Sequence, residues 1–147
     1  MIIHEKYEPV SKRNNLALLK LSEPLKLSRN IEEAPLAGIV PKVNSLAKVA
    51  TWRKSIFFYH LSVIEEAIIS KDECSKALDN SALQAALATE TICAQNKILG
   101  ACDKDLGAPL ISRGQLAGIL TNPSCSSKPD VYTSVVQYKT WLEANTE

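Results

Sequence analysis

A chain of 147 residues fits one domain of ordinary size, and 46% hydrophobic with 22% charged residues is globular composition. A formal charge of +1 gives no reason to expect nucleic acid or a membrane as a partner. No apolar run approaches the ~18 residues that a spanning helix needs.

In chain order, residues 16–21 (LALLKL) read as a strand buried on both faces, entered from the turn-prone Arg13-Asn14-Asn15. Residues 27–45 carry Pro35, Gly38 and Pro41 with weak periodicity, the pattern of an extended connector over a surface. Residues 47–52, 61–69, 109–111 and 115–120 are further strand candidates. The third opens on Pro109, where a missing donor is tolerated. Between the first two lies Ile56-Phe57-Phe58-Tyr59, which holds both phenylalanines of the chain. It either packs onto the body of the fold or forms an exposed partner patch, with packing the favoured outcome. Residues 70–78 and 81–87 read as helices, the second with Ser81-x-x-Gln84 as a capping pattern. The C-terminal helix is the clearest element. Ser134-x-x-Gln137 is suited to cap it, and Val135, Tyr138, Trp141 and Leu142 share one face. Several short strands with one terminal helix argue for an all-β barrel or sandwich.

Two compositional features need an explanation. Average usage of about 7% predicts roughly ten glycines in this length; there are five. The cysteines, Cys74, Cys93, Cys102 and Cys125, all lie in the second half, with no C-x-x-C pair and both histidines elsewhere. That pattern gives no zinc site. Two local bridges, Cys74–Cys93 and Cys102–Cys125, are the preferred reading, each contributing roughly 3 kcal/mol by loop entropy. The other two pairings stay open on sequence alone. Bridges imply an oxidising compartment, yet Met1-Ile2-Ile3-His4 is followed by charge and reads as no signal peptide.

Several motifs occur in one order. Ile2-x-His4-x-x-Tyr7 and Asn15-Leu16-Ala17-Leu18-Leu19-Lys20-Leu21 resemble the I-x-H-x-x-Y segment and the N-D-I-A-L-L-K-L strand of trypsin-like serine proteases. Ala47-x-Val49-x-Thr51-Trp52 resembles a degraded C-x-V-x-G-W-G, and residues 102–110 (CDKDLGAPL) resemble the nucleophile loop C-x-G-D-S-G-G-P-L. Lys128-Pro129-Asp130-Val131-Tyr132-Thr133 is similar to K-P-G-V-Y-T, and Tyr138-x-x-Trp141-Leu142 to the family's last helix. The resemblance implies the C-terminal Greek-key β-barrel of a trypsin-like domain, with remnant strands of the N-terminal barrel and a C-terminal α-helix. The expected divisions are a remnant at 1–27, a connector at 28–45, and the barrel with its helix at 46–147. The family pairs the same cysteines as the preferred reading. A third family bridge falls on Ala47 and Ser112, where both cysteines are lost together.

What the resemblance implies about chemistry is loss. The reaction needs a serine nucleophile, a histidine base, an aspartate and oxyanion donors. Leu106 stands at the serine position and Asn15 at the aspartate position, while the histidine motif A-A-H-C should precede the segment seen here. For His4 and His60, packing or solvent exposure is favoured over catalysis. Lys104 and Leu106 are the remnants of the oxyanion hole. Gly100, Thr121, Asn122, Pro123 and Asp130 are the remnants of the substrate pocket, with Asp130 bringing a carboxylate where the family has glycine. Asp105 matches the aspartate of the activation pocket, and a turn or surface aspartate paired locally is the favoured reading. The scarce glycines track these losses, since Lys104, Ala108, Pro123 and Asp130 stand where the family has glycine.

Three readings of function follow. The favoured one is a secreted, non-catalytic serine protease homologue that acts by binding, as decoy, cofactor or regulator of a protease, with a protein partner or self-association. The others are an active trypsin-like endopeptidase, and a truncated product without independent function. No cofactor and no metal are implied.

Overall fold

The computed structural model describes residues 1–78, 87 and 90–146. Its organising element is a closed antiparallel barrel. The strands are β3 (Leu46–Lys54), β4 (Tyr59–Ile69), β5 (Thr91–Gln95), β6 (Pro109–Ser112), β7 (Gln115–Asn122) and β8 (Asp130–Ser134). They run around the barrel in the order β3-β4-β5-β8-β7-β6, and β6 returns to β3. The alternation in β3 sends Ala47, Val49 and Thr51 inward and leaves Leu46, Lys48 and Trp52 outside. Leu110, Leu120, Ile92 and Tyr132 meet them in the core.

The strand candidates of the sequence fall inside β3, β4, β6 and β7. Two strands carry no such signal. β5 is five residues long and β8 is buried at every position, so neither shows a clean period of two. The helix at residues 70–78 is α1 (Lys71–Ala77). Ser70 Oγ accepts from Glu73 N at 3.2 Å, and a Glu73 carboxylate oxygen accepts from Ser70 N at 3.1 Å. That is a complete capping box. The helix expected over 81–87 lies outside the described residues, Leu87 excepted. Both disulfides of the preferred pairing are formed, Cys74–Cys93 and Cys102–Cys125.

Three expectations are corrected. Residues 16–21 are not a strand buried on both faces. Only Ala17–Leu18 pairs (β2), against Ile2–Ile3 (β1), and Leu19 and Leu21 are 73% and 56% exposed. A strand is buried on two faces only when other layers cover both, and among the described residues β1 is the one strand that pairs with β2. The capping pattern Ser134-x-x-Gln137 forms no cap. Ser134 is the last residue of β8, paired with Gly118, and its Oγ is buried without a hydrogen bond. The chain turns at Val135 through a 3-10 turn (Val136–Tyr138) into α2 (Lys139–Thr146). The apolar face of that helix is as expected, with Val135, Tyr138 and Leu142 packed on Leu16. Finally, Ile56-Phe57-Phe58-Tyr59 does not pack. It forms the tip of the β3–β4 hairpin, with Ile56 and Phe57 86% and 89% exposed.

The ladder register Lys48↔Ile111 and Val49↔Leu110 continues to place Ala47 opposite Ser112. Directly opposed residues in an antiparallel pair have Cα atoms about 4.5–5.5 Å apart, within disulfide range. The double variant Ala47→Cys/Ser112→Cys is therefore expected to form a third bridge without reductant. Closing so long a loop stabilises by up to about 4 kcal/mol. Intact mass with thiol titration, followed by melting with and without reductant, checks both statements.

Candidate functional site

The loop between the Cys102–Cys125 bridge and β6 is a 3-10 turn, Asp103–Asp105, followed by Leu106 and Gly107. Gly107 has φ +84°, a conformation that a side chain resists, and its N–H donates to Leu120 O at 3.0 Å. Leu106 is 52% exposed, and its N–H points back at Asp103 O, 3.4 Å away. A donor turned into its own loop is poorly aimed at a ligand oxygen. Lys104 is exposed and leans the other way. Its Nζ lies 3.6 Å above the Tyr59 ring and donates to the Tyr59 hydroxyl. Asn15 and Thr121 line an open cleft together with Leu106 and Gly107. So three of the sequence-derived positions meet.

Asp105 is a turn aspartate paired locally, as favoured, and not a surface one. It is buried, and its carboxylate accepts from Trp52 N at 2.7 Å and from Cys102 N at 2.9 Å. It ties the loop to β3. Removing such an acceptor leaves two backbone donors short of a partner, which costs a few kcal/mol.

The pocket positions gather around Asp130. This side chain is fully buried at the start of β8. One of its oxygens accepts from Ala101 N at 2.7 Å and the other from Ser124 N at 2.5 Å. A Cβ added at Gly100 would stand 2.5 Å from the carboxylate, so the absence of a side chain there is what admits Asp130. Arg53 donates to the Leu99 and Gly100 carbonyls at 3.3 Å each. Thr121 sits at an irregularity in the β7–β8 ladder, its Oγ1 2.6 Å from that of Thr133. Asn122 pairs with Val131, and Pro123 follows at half-burial. Space between residues 100–101 and 124 is thus taken by a carboxylate and its bonds.

Sequence reasoning missed Glu66. It points into the barrel from β4, fully buried, and accepts from the Tyr132 hydroxyl at 2.8 Å. Its pKa is pushed up to about 8, first by burial, then by a hydrogen bond to Asp130 and by that group's charge. The Tyr132 hydroxyl is driven up as well, by burial first and then by the carboxylates. Glu66 Oε1 is buried with no hydrogen-bond partner, and the acid form spares the barrel a second unpaired charge there. The signal was present in the alternation of β4, where Ile64, Glu66 and Ile68 share the inward parity.

The histidines stay away from the cleft. His4 is buried against Tyr138 and Trp141, with ring centroids 5.3 and 4.9 Å apart. His60 is exposed, and it lies in β4 opposite Arg53.

A Trypsin family model matches residues 1–142. The chain belongs to the trypsin family. It is 29% identical to trypsin beta of Drosophila erecta and 28% to a trypsin of Sarcophaga bullata, covering 97% and 95% of this chain. It spans 58% of the length of each. A solved structure of mouse neuropsin, a serine protease, superposes with a TM-score of 0.85 at 24% identity. That match covers 99% of this chain and 69% of the other, and speaks for the shared fold. These matches run over nearly the whole chain, the N-terminal segment as well as the barrel.

The buried pair makes a pH prediction. Glu66 keeps its proton in the folded state up to about pH 8, whereas an unfolded chain releases it near the ordinary carboxyl value of about 4.3. Its contribution to stability is therefore complete below the ordinary carboxyl value, and is lost as pH rises towards 8. Glu66→Gln keeps a donor at every pH. The variant should gain on wild type between pH 5 and pH 8 by roughly 10 °C in melting temperature, taking several kcal/mol of linkage. Thermal melts of both proteins at the two pH values check it, and parallel curves would refute it.

Proposed function

We propose that this trypsin-family chain is a secreted, non-catalytic homologue that acts by binding protein. Leu106 carries the reading. It occupies the position that the resemblance gives to the nucleophile, and a hydrocarbon side chain has no electron pair with which to attack a carbonyl. Three further features support it. Asn15 in the same cleft brings no charge to stabilise an imidazolium. The Leu106 N–H turns into its own loop. The Asp130 carboxylate takes up space among the pocket positions. The two disulfides support an oxidising, extracellular setting.

The surface for binding is the face around β2. Leu19, Leu21, Leu25 and Leu27 are all more than half exposed, and among the described residues β2 is paired on one side only. An apolar surface beside an open strand edge favours pairing with another chain.

Purified protein should not be labelled by a fluorophosphonate serine probe. Leu106→Ser should stay unlabelled too, because no histidine lines the cleft to activate a new hydroxyl. Labelling of either protein would overturn the non-catalytic reading.

Sedimentation velocity over a hundredfold concentration range tests the binding face separately. Concentration-dependent association, weakened by Leu19→Lys/Leu21→Lys, is expected; a monomer throughout, with slow amide exchange at residues 16–21, counts against self-association.

A further inference from the structure

We propose that the tip of the β3–β4 hairpin docks on the surface of an anionic phospholipid bilayer, with Ile56, Phe57 and Phe58 entering between the headgroups. The hairpin is layered along its length. At the turn stand these three apolar side chains, 86%, 89% and 65% exposed. Behind them the cross-strand pairs are Lys54↔Tyr59, then Arg53↔His60, then Trp52↔Leu61. An apolar tip backed by cations and by tyrosine and tryptophan rings suits a bilayer surface, where acyl chains lie beneath anionic headgroups and aromatic rings sit at the headgroup level.

The charge around the tip is one-sided. Residues 51–62 contain Arg53 and Lys54 and no carboxylate. The fold adds Lys104, whose ammonium sits over the Tyr59 ring. Asp103 lines the same hollow beneath the tip and offsets part of this charge, leaving an excess of cations. Near an anionic leaflet each such cation contributes favourably, and the net +1 of the whole chain hides this local excess.

The backbone of the turn is also suited to the interface. Ser55 N donates to Phe58 O at 2.8 Å, Ser55 Oγ donates to the same carbonyl at 2.9 Å, and Phe58 N donates back to Ser55 Oγ at 3.4 Å. These bonds satisfy the Ser55 and Phe58 amides and the Phe58 carbonyl, which lowers the cost of taking those groups out of water. The tip is a projection and not a groove. A fluid surface accepts a projection without needing a complementary shape, whereas a rigid protein partner must supply a matching cavity.

The test is co-sedimentation of the full chain with phosphatidylcholine vesicles carrying about a third phosphatidylserine, against pure phosphatidylcholine vesicles. Binding to the anionic vesicles is expected, at least about tenfold stronger than to the neutral ones and weakened by salt. Phe57→Ser/Phe58→Ser should lower it by at least about tenfold, and Lys54→Glu severalfold. Because these side chains are exposed, the variants should keep the wild-type melting temperature. If the double variant fails to fold, Lys54→Glu and Ile56→Ser decide the matter. The proposal is overturned by absence of vesicle binding, by equal binding to neutral vesicles, or by binding that the tip substitutions leave unchanged. A tip-dependent change in self-association without vesicle binding would assign the patch to protein and overturn it as well.

Discussion

The return of β6 to β3 governs most of this molecule. Once Lys48 and Val49 pair with Ile111 and Leu110, six strands form a ring with no free edge, and whatever faces inward is cut off from water. Interior polar groups must then find partners in the ring itself. Asp130 does so through the Ala101 and Ser124 amides, and those bonds fasten the segments on either side of the Cys102–Cys125 bridge. Glu66 accepts from Tyr132, while its other oxygen stays without a hydrogen bond and the nearby Asp130 charge helps to keep its proton on. A pair of carboxyl groups is tolerated inside the barrel because one of them holds its proton into the neutral range.

The first 45 residues have no such closure. Their sheet is two residues wide on each strand, and they are held to the barrel by a short backbone bridge, Leu36 to Leu116, by bonds between residues 44–45 and Ile68, and by side chains. The Tyr138 hydroxyl donates to Asn14 Oδ1 at 2.8 Å, Trp141 Nε1 donates to Glu5 at 2.9 Å, and Thr133 Oγ1 donates to Asn15 O at 3.2 Å. The 3-10 turn and helix α2 thus help to anchor the N-terminal segment, with His4 against Tyr138 of the turn and Trp141 of the helix. The contrast explains where the exposed leucines lie. They cluster where no second layer covers the chain.

Much was legible beforehand. Four barrel strands, α1 and the C-terminal helix follow from local patterns, because alternation and apolar spacing survive in a single sequence. Both disulfide pairings agreed with the local reading of cysteine spacing. Setting Leu106 against a nucleophile position and Asn15 against an aspartate position needed only the resemblance and residue identity. Other features were not legible. Ser134 has the residue type of a cap, but the ladder claims its backbone for β8 first. Residues 16–21 have the composition of a buried strand, and composition cannot count the neighbours that would cover it.

The sequence by itself determined the order of motifs, the alternation that makes the strands, and which chemical groups are present or missing at each matched position. These are properties of residues and of short spacings. Tertiary structure decided which of those groups meet. It put Glu66 beside Asp130 across the barrel, turned Asp105 from a loop residue into a buried tie to Trp52, and left Ile56, Phe57 and Phe58 standing out from a hairpin. Burial and partnership depend on contacts between segments distant along the chain, and closure of the ring is what creates them.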